Sequence, residues 1–204
     1  MTTAPTDTPP RKAPSPGTGR LRAAWRAAHA PVPGVPRWAR AAALAVPLTV
    51  LPSSLWRVAV LFPGLGGDDP GSGSLPAWLP TPVYVVLLSL LSEALAFTAV
   101  GLIASWGEVF PRWVPFLRGR RVPTAAAVIP GALGAVALTF LWTVLTLVTE
   151  FAGRTIRGEP VPDDYPGVAG GWSEAVFYAC YLPLLLWGPL LGAVTVAYWR
   201  RRRG

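Results

Sequence analysis

Four long apolar runs, at 41–62, 82–105, 124–151 and 173–199, constrain this chain more than any other feature. Each reaches the roughly 20 residues that a helix rising about 1.5 Å per residue needs to cross a ~30 Å hydrocarbon core. Lipid offers no water to bond free N–H and C=O groups, so runs of this length cross as helices and not as open strands. The expected fold is an all-α membrane protein, a bundle of four transmembrane helices. Composition agrees. Of the 204 residues, 52% are hydrophobic and 14% charged, against about 25% charged in an ordinary soluble domain. So little charge cannot cover a water-facing globule.

The chain divides into a tail over 1–36 and a transmembrane domain over 37–204. The stretch 1–19 is rich in Pro, Thr and Ser and is expected to be disordered. The stretch 20–29 (RLRAAWRAAH) puts Leu21 and Trp25 on one helical face beside Arg22 and Arg26. It is either a helix lying on an anionic membrane surface or a solvated basic tail. The first apolar run starts much later than that of a secretory signal and is expected to be an uncleaved span.

The positions of the basic residues orient the bundle. Seven precede the first run: Arg11, Lys12, Arg20, Arg22, Arg26, Arg37 and Arg40. The second connection holds Arg112, Arg118, Arg120 and Arg121, and the C-terminus ends in Arg200, Arg201, Arg202 and Arg203. In a four-span layout these fifteen of the eighteen Lys and Arg fall on one side. The positive-inside rule makes that side the cytoplasm. The expectation is therefore a bacterial inner-membrane protein with both termini cytoplasmic and anionic lipid at that face. Trp38, Trp106, Trp113 and Trp199 fall near the same boundary, and Trp78 and Trp172 near the other, as interfacial anchors do. Because the arginines flank apolar runs, the net charge of +8 reports topology and implies no nucleic acid partner.

The second connection, 105–123, reads SWGEVFPRWVPFLRGRRVP. With the four-span layout, this stretch resembles uncharacterised integral membrane proteins of actinobacteria. The resemblance implies an envelope-membrane protein and carries no catalytic or binding residue. From the residues themselves, Trp106, Arg112, Trp113, Arg118, Arg120 and Arg121 form either a lipid-anchored topology loop or a docking surface for a cytoplasmic partner.

Several chemistries lack their parts. Cys180 is the only cysteine and His29 the only histidine. There is no disulfide, CxxC site, HExxH motif or Ser-His-Asp set, and no glycine-rich phosphate loop. No cofactor or metal is implied. Asp68-Asp69 and Asp163-Asp164 lie next to Pro and Gly and read as turns.

Glu93 is the most informative residue. It lies near the middle of the second span, in LLSEALAF, with Ser89 one turn away and Ser92 adjacent. An ionisable group at the bilayer centre costs about 2.5–3.5 kcal/mol on insertion scales. It is either a proton or ligand site or a glutamate that holds helices together. Arg57, inside the first span, differs in depth by roughly 7 Å and is its natural partner; the other reading is an arginine snorkelling outward. In the third span Thr139, Thr143, Thr146 and Glu150 follow i, i+4, i+7, i+11 along one face. They form a packing stripe or an outward-opening cleft in which Thr146 and Glu150 join Arg57 and Glu93, with Glu174 and Tyr178 as further candidates. Thr81-Pro82 and Ser173 look like helix starts, with Ser173 as a capping side chain. Pro47 and Pro52 kink or break the first span, and Pro130, Pro183 and Pro189 are expected to kink the third and fourth. Gly188 and Gly192 form a GxxxG face, within the bundle or between protomers.

Two functions follow. One is a non-enzymatic membrane component or partner subunit. The other is a small proton-coupled transporter, oligomeric in its working form and using Glu93.

Overall fold

The computed structural model describes residues 32–62, 79–109, 121–154, 158–161, 165, 167, 168 and 170–203. Among them the chain is helical with no strand. The helices are α1 (Arg37–Ala59), α2 (Thr81–Gly101), α3 (Thr124–Ala152), α4 (Gly171–Tyr181) and α5 (Trp187–Arg203). α4 and α5 make one interrupted span, so four helical segments are long and apolar enough to cross a membrane.

The observed ends refine the expected ones. α1 starts at Arg37 and so draws Arg37 and Arg40 into its first turn. α2 starts at Thr81 with Pro82 in its first turn, but the capping residue is Pro80 and no side chain caps it. The fourth span starts at Gly171 behind Gly170, again with no side-chain cap, so Ser173 lies inside the helix. α3 ends at Gly153, whose φ of 57° is the left-handed cap that glycine adopts freely, and its N–H bonds Val148 O.

Prolines act differently in the two spans that carry pairs of them. α1 runs unbroken through Pro47 and Pro52. Each proline removes one backbone donor, but the flanking hydroxyls stay inside the helix: Thr49 donates to Val46 O at 2.7 Å and Ser53 to Val50 O at 2.8 Å. The fourth span gives way instead. A 3-10 turn, Leu182–Leu186, contains Pro183 and separates α4 from α5. Leu184 in this turn is buried, as is Trp187 just beyond it.

The helices pack in the order α2, α1, α5, α3. α1 is central. Its buried face, Ala39, Ala43, Val46, Val50 and Ser53, repeats every three or four residues. Small side chains there let helices approach closely, and close packing is what holds helices together where lipid is as apolar as leucine. α5 offers Leu191, Val194, Thr195 and Tyr198. α3 lies at the edge and packs chiefly on α5; only Ala135 of it is buried. Its outward residues, such as Leu133 at 66% and Phe151 at 84% exposure, suit a lipid boundary. Gly188 makes the α3–α5 seam possible. A methyl group there would lie 2.8 Å from Ala135 O and 2.5 Å from Thr139 N. The GxxxG face therefore works within this chain.

Both termini of the described helices lie at one end, the terminal end. There Val32 N donates to Ile103 O at 3.1 Å, and Arg201 packs against Gly34.

Candidate functional site

The α1–α2 interface brings together the polar residues expected at mid-membrane. Glu93 of α2 faces Ser54 and lies within electrostatic reach of Arg57. Ser54 and Ser89 are each only 5% exposed. Their Oγ atoms and Oε1 of Glu93 are buried with no partner at full hydrogen-bonding geometry. Unpaired buried polar atoms in a low-dielectric setting are costly and mark places that hold water, an ion or a proton. Ser92 is not among them: its hydroxyl donates to Leu88 O at 2.8 Å.

Arg57 does not form the direct ion pair with Glu93 that depth alone suggested. It folds back on α1, with Nε 3.2 Å from Ser53 O and Nη2 3.3 Å from Ser53 Oγ. It also lies within electrostatic reach of Tyr181, the last residue of α4. A helix C-terminus carries partial negative charge, so the interrupted span offers Arg57 a favourable field that an unbroken helix would not. Pro183 and Pro189 are expected to kink the fourth span, and it does give way at Pro183, whereas the first span stays helical through Pro47 and Pro52.

The threonine stripe of α3 divides in two. Thr139 donates to Ala135 O at 2.7 Å and packs on Gly188. It and Thr143 line an apolar groove between α3 and α5. Thr146 and Glu150 line a separate pocket at the end opposite the termini. A single cleft running from Glu93 and Arg57 to Glu150 does not form, because α3 packs on α5 and is separated from α2. In the far pocket Tyr178 donates to Glu150, with contacts of 2.8 and 2.7 Å to the two carboxylate oxygens.

The separation of α2 from α3 leaves a third opening, a cleft of about 520 Å³ floored by Trp187 and Leu191 of α5. Gly101 and Gly107 on one wall and Ala127, Gly131, Gly134 and Ala137 on the other keep it smooth. Trp106 folds over Gly101 and stacks on Phe97, with ring centroids 6.2 Å apart. Its Nε1 is buried without a partner. Trp106 thus serves the cleft as well as the boundary.

At the terminal end, two of the C-terminal arginines make specific contacts. Arg201 Nη2 lies 2.6 Å from Glu108 Oε1, with side chains only 14% and 20% exposed, and 3.3 Å from Leu102 O. Arg202 donates to Val122 O at 2.7 Å. Both guanidinium groups lie over the ring of buried Tyr198. These contacts pin the two ends of the second connection, which also meet in an antiparallel bridge between Val109 and Arg121. Sequence reasoning missed this clamp, since nothing in a run of four arginines singles out one that turns inward. Arg112, Trp113, Arg118 and Arg120 lie outside the described residues, as do Asp68, Asp69, Asp163 and Asp164.

Fold and polar sites together define an all-α integral membrane protein of four spans. No family model, curated protein or solved structure matches this chain.

Proposed function

We propose that this protein is a non-enzymatic component of a membrane assembly, a partner subunit of the bacterial inner membrane with both termini in the cytoplasm. The observation that carries the reading is the cleft between α2 and α3. Its small-residue walls permit the close backbone approach that a transmembrane helix needs and a lipid chain does not. The second connection, through Arg112, Trp113, Arg118, Arg120 and Arg121, and the basic tail add contacts to anionic lipid or to the same partner. A photo-cross-linking residue at Ala137, inside the cleft, should trap a discrete protein in native membranes. The same residue at Leu133, on the exposed face, should not. Lipid adducts alone at both positions would defeat the proposal. Labelling of a cysteine placed at 119 from the outside would overturn the orientation.

One observation favours a second reading, proton-coupled transport. Glu93, Ser54 and Ser89 gather buried polar atoms short of full hydrogen-bonding geometry at the α1–α2 interface, and the fourth span unwinds over Leu182–Leu186. Interrupted helices and intramembrane carboxyl groups recur at transporter sites. Reconstituted protein should then show a pH-dependent flux that Glu93→Gln abolishes. No flux from the parent protein, or an unchanged one from the variant, would exclude it.

A further inference from the structure

A furrow runs along the outer face of the α3–α5 seam, and neither reading uses it. One stretch, of about 540 Å³, lies between Phe140 and Val144 of α3 and Gly188 and Pro189 of α5. A second, of about 270 Å³, lies between Val128 and Ala132 of α3 and Val196 and Trp199 of α5. Ala135, Val136 and Gly192 line both, so the two are continuous. One rim is Val128, Ala132, Val136, Phe140 and Val144, a ridge that repeats every four residues along α3. At about 1.5 Å per residue this rim is about 24 Å long. That is more than the roughly 15 Å that one leaflet contributes to a ~30 Å core.

The floor of the furrow asks for nothing polar. Thr139 donates to Ala135 O at 2.7 Å and Thr195 to Leu191 O at 2.8 Å. Among the described residues no charged one lines either stretch. The furrow is also narrow, because α3 and α5 touch at its floor: a methyl group on Gly188 would lie 2.5 Å from Thr139 N. A helix, about 10–12 Å across with its side chains, would ride on Val136 and Phe140, which are 70% and 68% exposed, and leave the floor empty. An acyl chain, one methylene wide, reaches the floor and gains the close contacts that hold groups together in lipid. In the α2–α3 cleft the walls stand apart, which is why that opening suits a helix and this one a chain. Charge marks the terminal end of the furrow. Gly188, Gly192 and Val196 form a four-residue row on α5 whose next member is Arg200, and the Arg203 guanidinium lies 4.3 Å over the ring of Trp199. Both arginines are exposed, and neither forms an ion pair among the described residues. An apolar furrow that ends at two cations near a membrane surface matches the two parts of an anionic phospholipid.

We propose that the α3–α5 furrow is a site for one anionic phospholipid, with an acyl chain along the seam and the phosphate at Arg200 and Arg203. The proposal rests on the membrane placement of the four spans and not on the partner cleft or Glu93, so its outcome is independent of cross-linking from Ala137. The test is native mass spectrometry of the full chain in detergent, titrated with dioleoyl phosphatidylglycerol and, separately, with dioleoyl phosphatidylcholine. The chains are identical, so any difference belongs to the head group. One phosphatidylglycerol should bind saturably and more tightly than phosphatidylcholine, by about fivefold for each arginine engaged. Arg200→Ala combined with Arg203→Ala should remove that preference. Arg37→Ala takes one charge from the same end but from α1, which α3 does not pack against, and should keep it. Val136→Trp, which fills the furrow from its rim, should weaken both lipids alike by about fivefold or more. All of these positions are exposed, where substitutions leave a fold intact. Equal binding of the two lipids by the parent, a preference that survives loss of both arginines, or unchanged binding by Val136→Trp would each overturn the proposal. So would an equal loss in Arg37→Ala, which would mean a diffuse basic surface. A lipid-free dimer that Val136→Trp dissociates would make the occupant a second copy and overturn it as well.

Discussion

A methyl group on Gly188 should loosen α3, and one on Gly192, a turn further along the same face, should not. At Gly188 the added carbon would meet two backbone atoms of α3, Ala135 O at 2.8 Å and Thr139 N at 2.5 Å. Backbone cannot rotate away, so the helix itself must shift. At Gly192 the nearest atom is Ala135 Cβ at 3.5 Å, an ordinary contact. Gly→Ala in a helix interior gains about 0.8–1.0 kcal/mol of propensity. That gain is common to both variants and cancels in their difference. What remains is the overpacking cost, about 1–3 kcal/mol. It should fall on α3, whose packing in the bundle is chiefly on α5. The assay is reversible unfolding in mixed micelles, with a disulfide pair introduced between α3 and α5 reporting the seam. Gly188→Ala should be less stable than Gly192→Ala by about 1–3 kcal/mol and should cross-link more slowly. Equal midpoints for the two would refute the assignment of this seam.

Gly131→Ala should be milder than Gly188→Ala in the same assay, because its methyl would press on the Thr195 side chain at 2.7 Å, which can turn at the cost of its bond to Leu191 O. Arg201→Ala should cost about 1.5–3 kcal/mol, the range for a hydrogen bond to a charged group, by freeing half-buried Glu108. Arg203→Ala, which loses only a stacking contact over exposed Trp199, should cost about 0.5–1 kcal/mol; equal losses would show that Arg201 is no clamp. Tyr165 is half-buried, and burial, with Tyr181 and Glu150 beside it, pushes its phenol up to about 12 from the ordinary 10.0. The folded state therefore holds this proton more tightly, so stability is intact below pH 10.0 and falls as pH rises towards about 12. Phenolate absorbance should show a late-titrating fraction, and Tyr165→Phe should reduce its amplitude by one phenol.

The spans themselves were legible because length and hydropathy alone fix them. Three of the four run within four residues of the expected ends. The fourth is interrupted, and apolar content cannot report a break, since Leu182–Leu186 is as apolar as the helices it joins. Among polar groups, Ser89 and Glu93 share a face by spacing and do lie together. Arg57 and Glu93 lie within electrostatic reach, as depth suggested, but Arg57 bonds Ser53, because depth fixes level but not which way a long side chain turns. The threonine stripe was read as one surface because it lies on one face of one helix. Which neighbours meet each part of that face is a tertiary matter, and here two different ones do.

Two of the openings in this fold share one cause. The α2–α3 cleft exists because α3 docks on α5 and not on α2. The far pocket exists because the far part of α3, having followed α5, diverges from α4, and among the described residues the Tyr178–Glu150 bond spans the gap. Both are bounded by a helix whose position depends on how closely Ala135 and Thr139 approach Gly188. A change at Gly188 should therefore disturb both at once, reducing cross-linking from Ala137 and loosening the Tyr178–Glu150 bond together. Glu150→Gln should touch only the pocket, and Glu93→Gln neither, since the Glu93 cluster is built from α1 and α2. If Gly188→Ala altered one opening and spared the other, α3 would have to bend within its own length instead of shifting as a unit. Pro130 is the one residue in its interior that removes a helical hydrogen bond and favours such a bend.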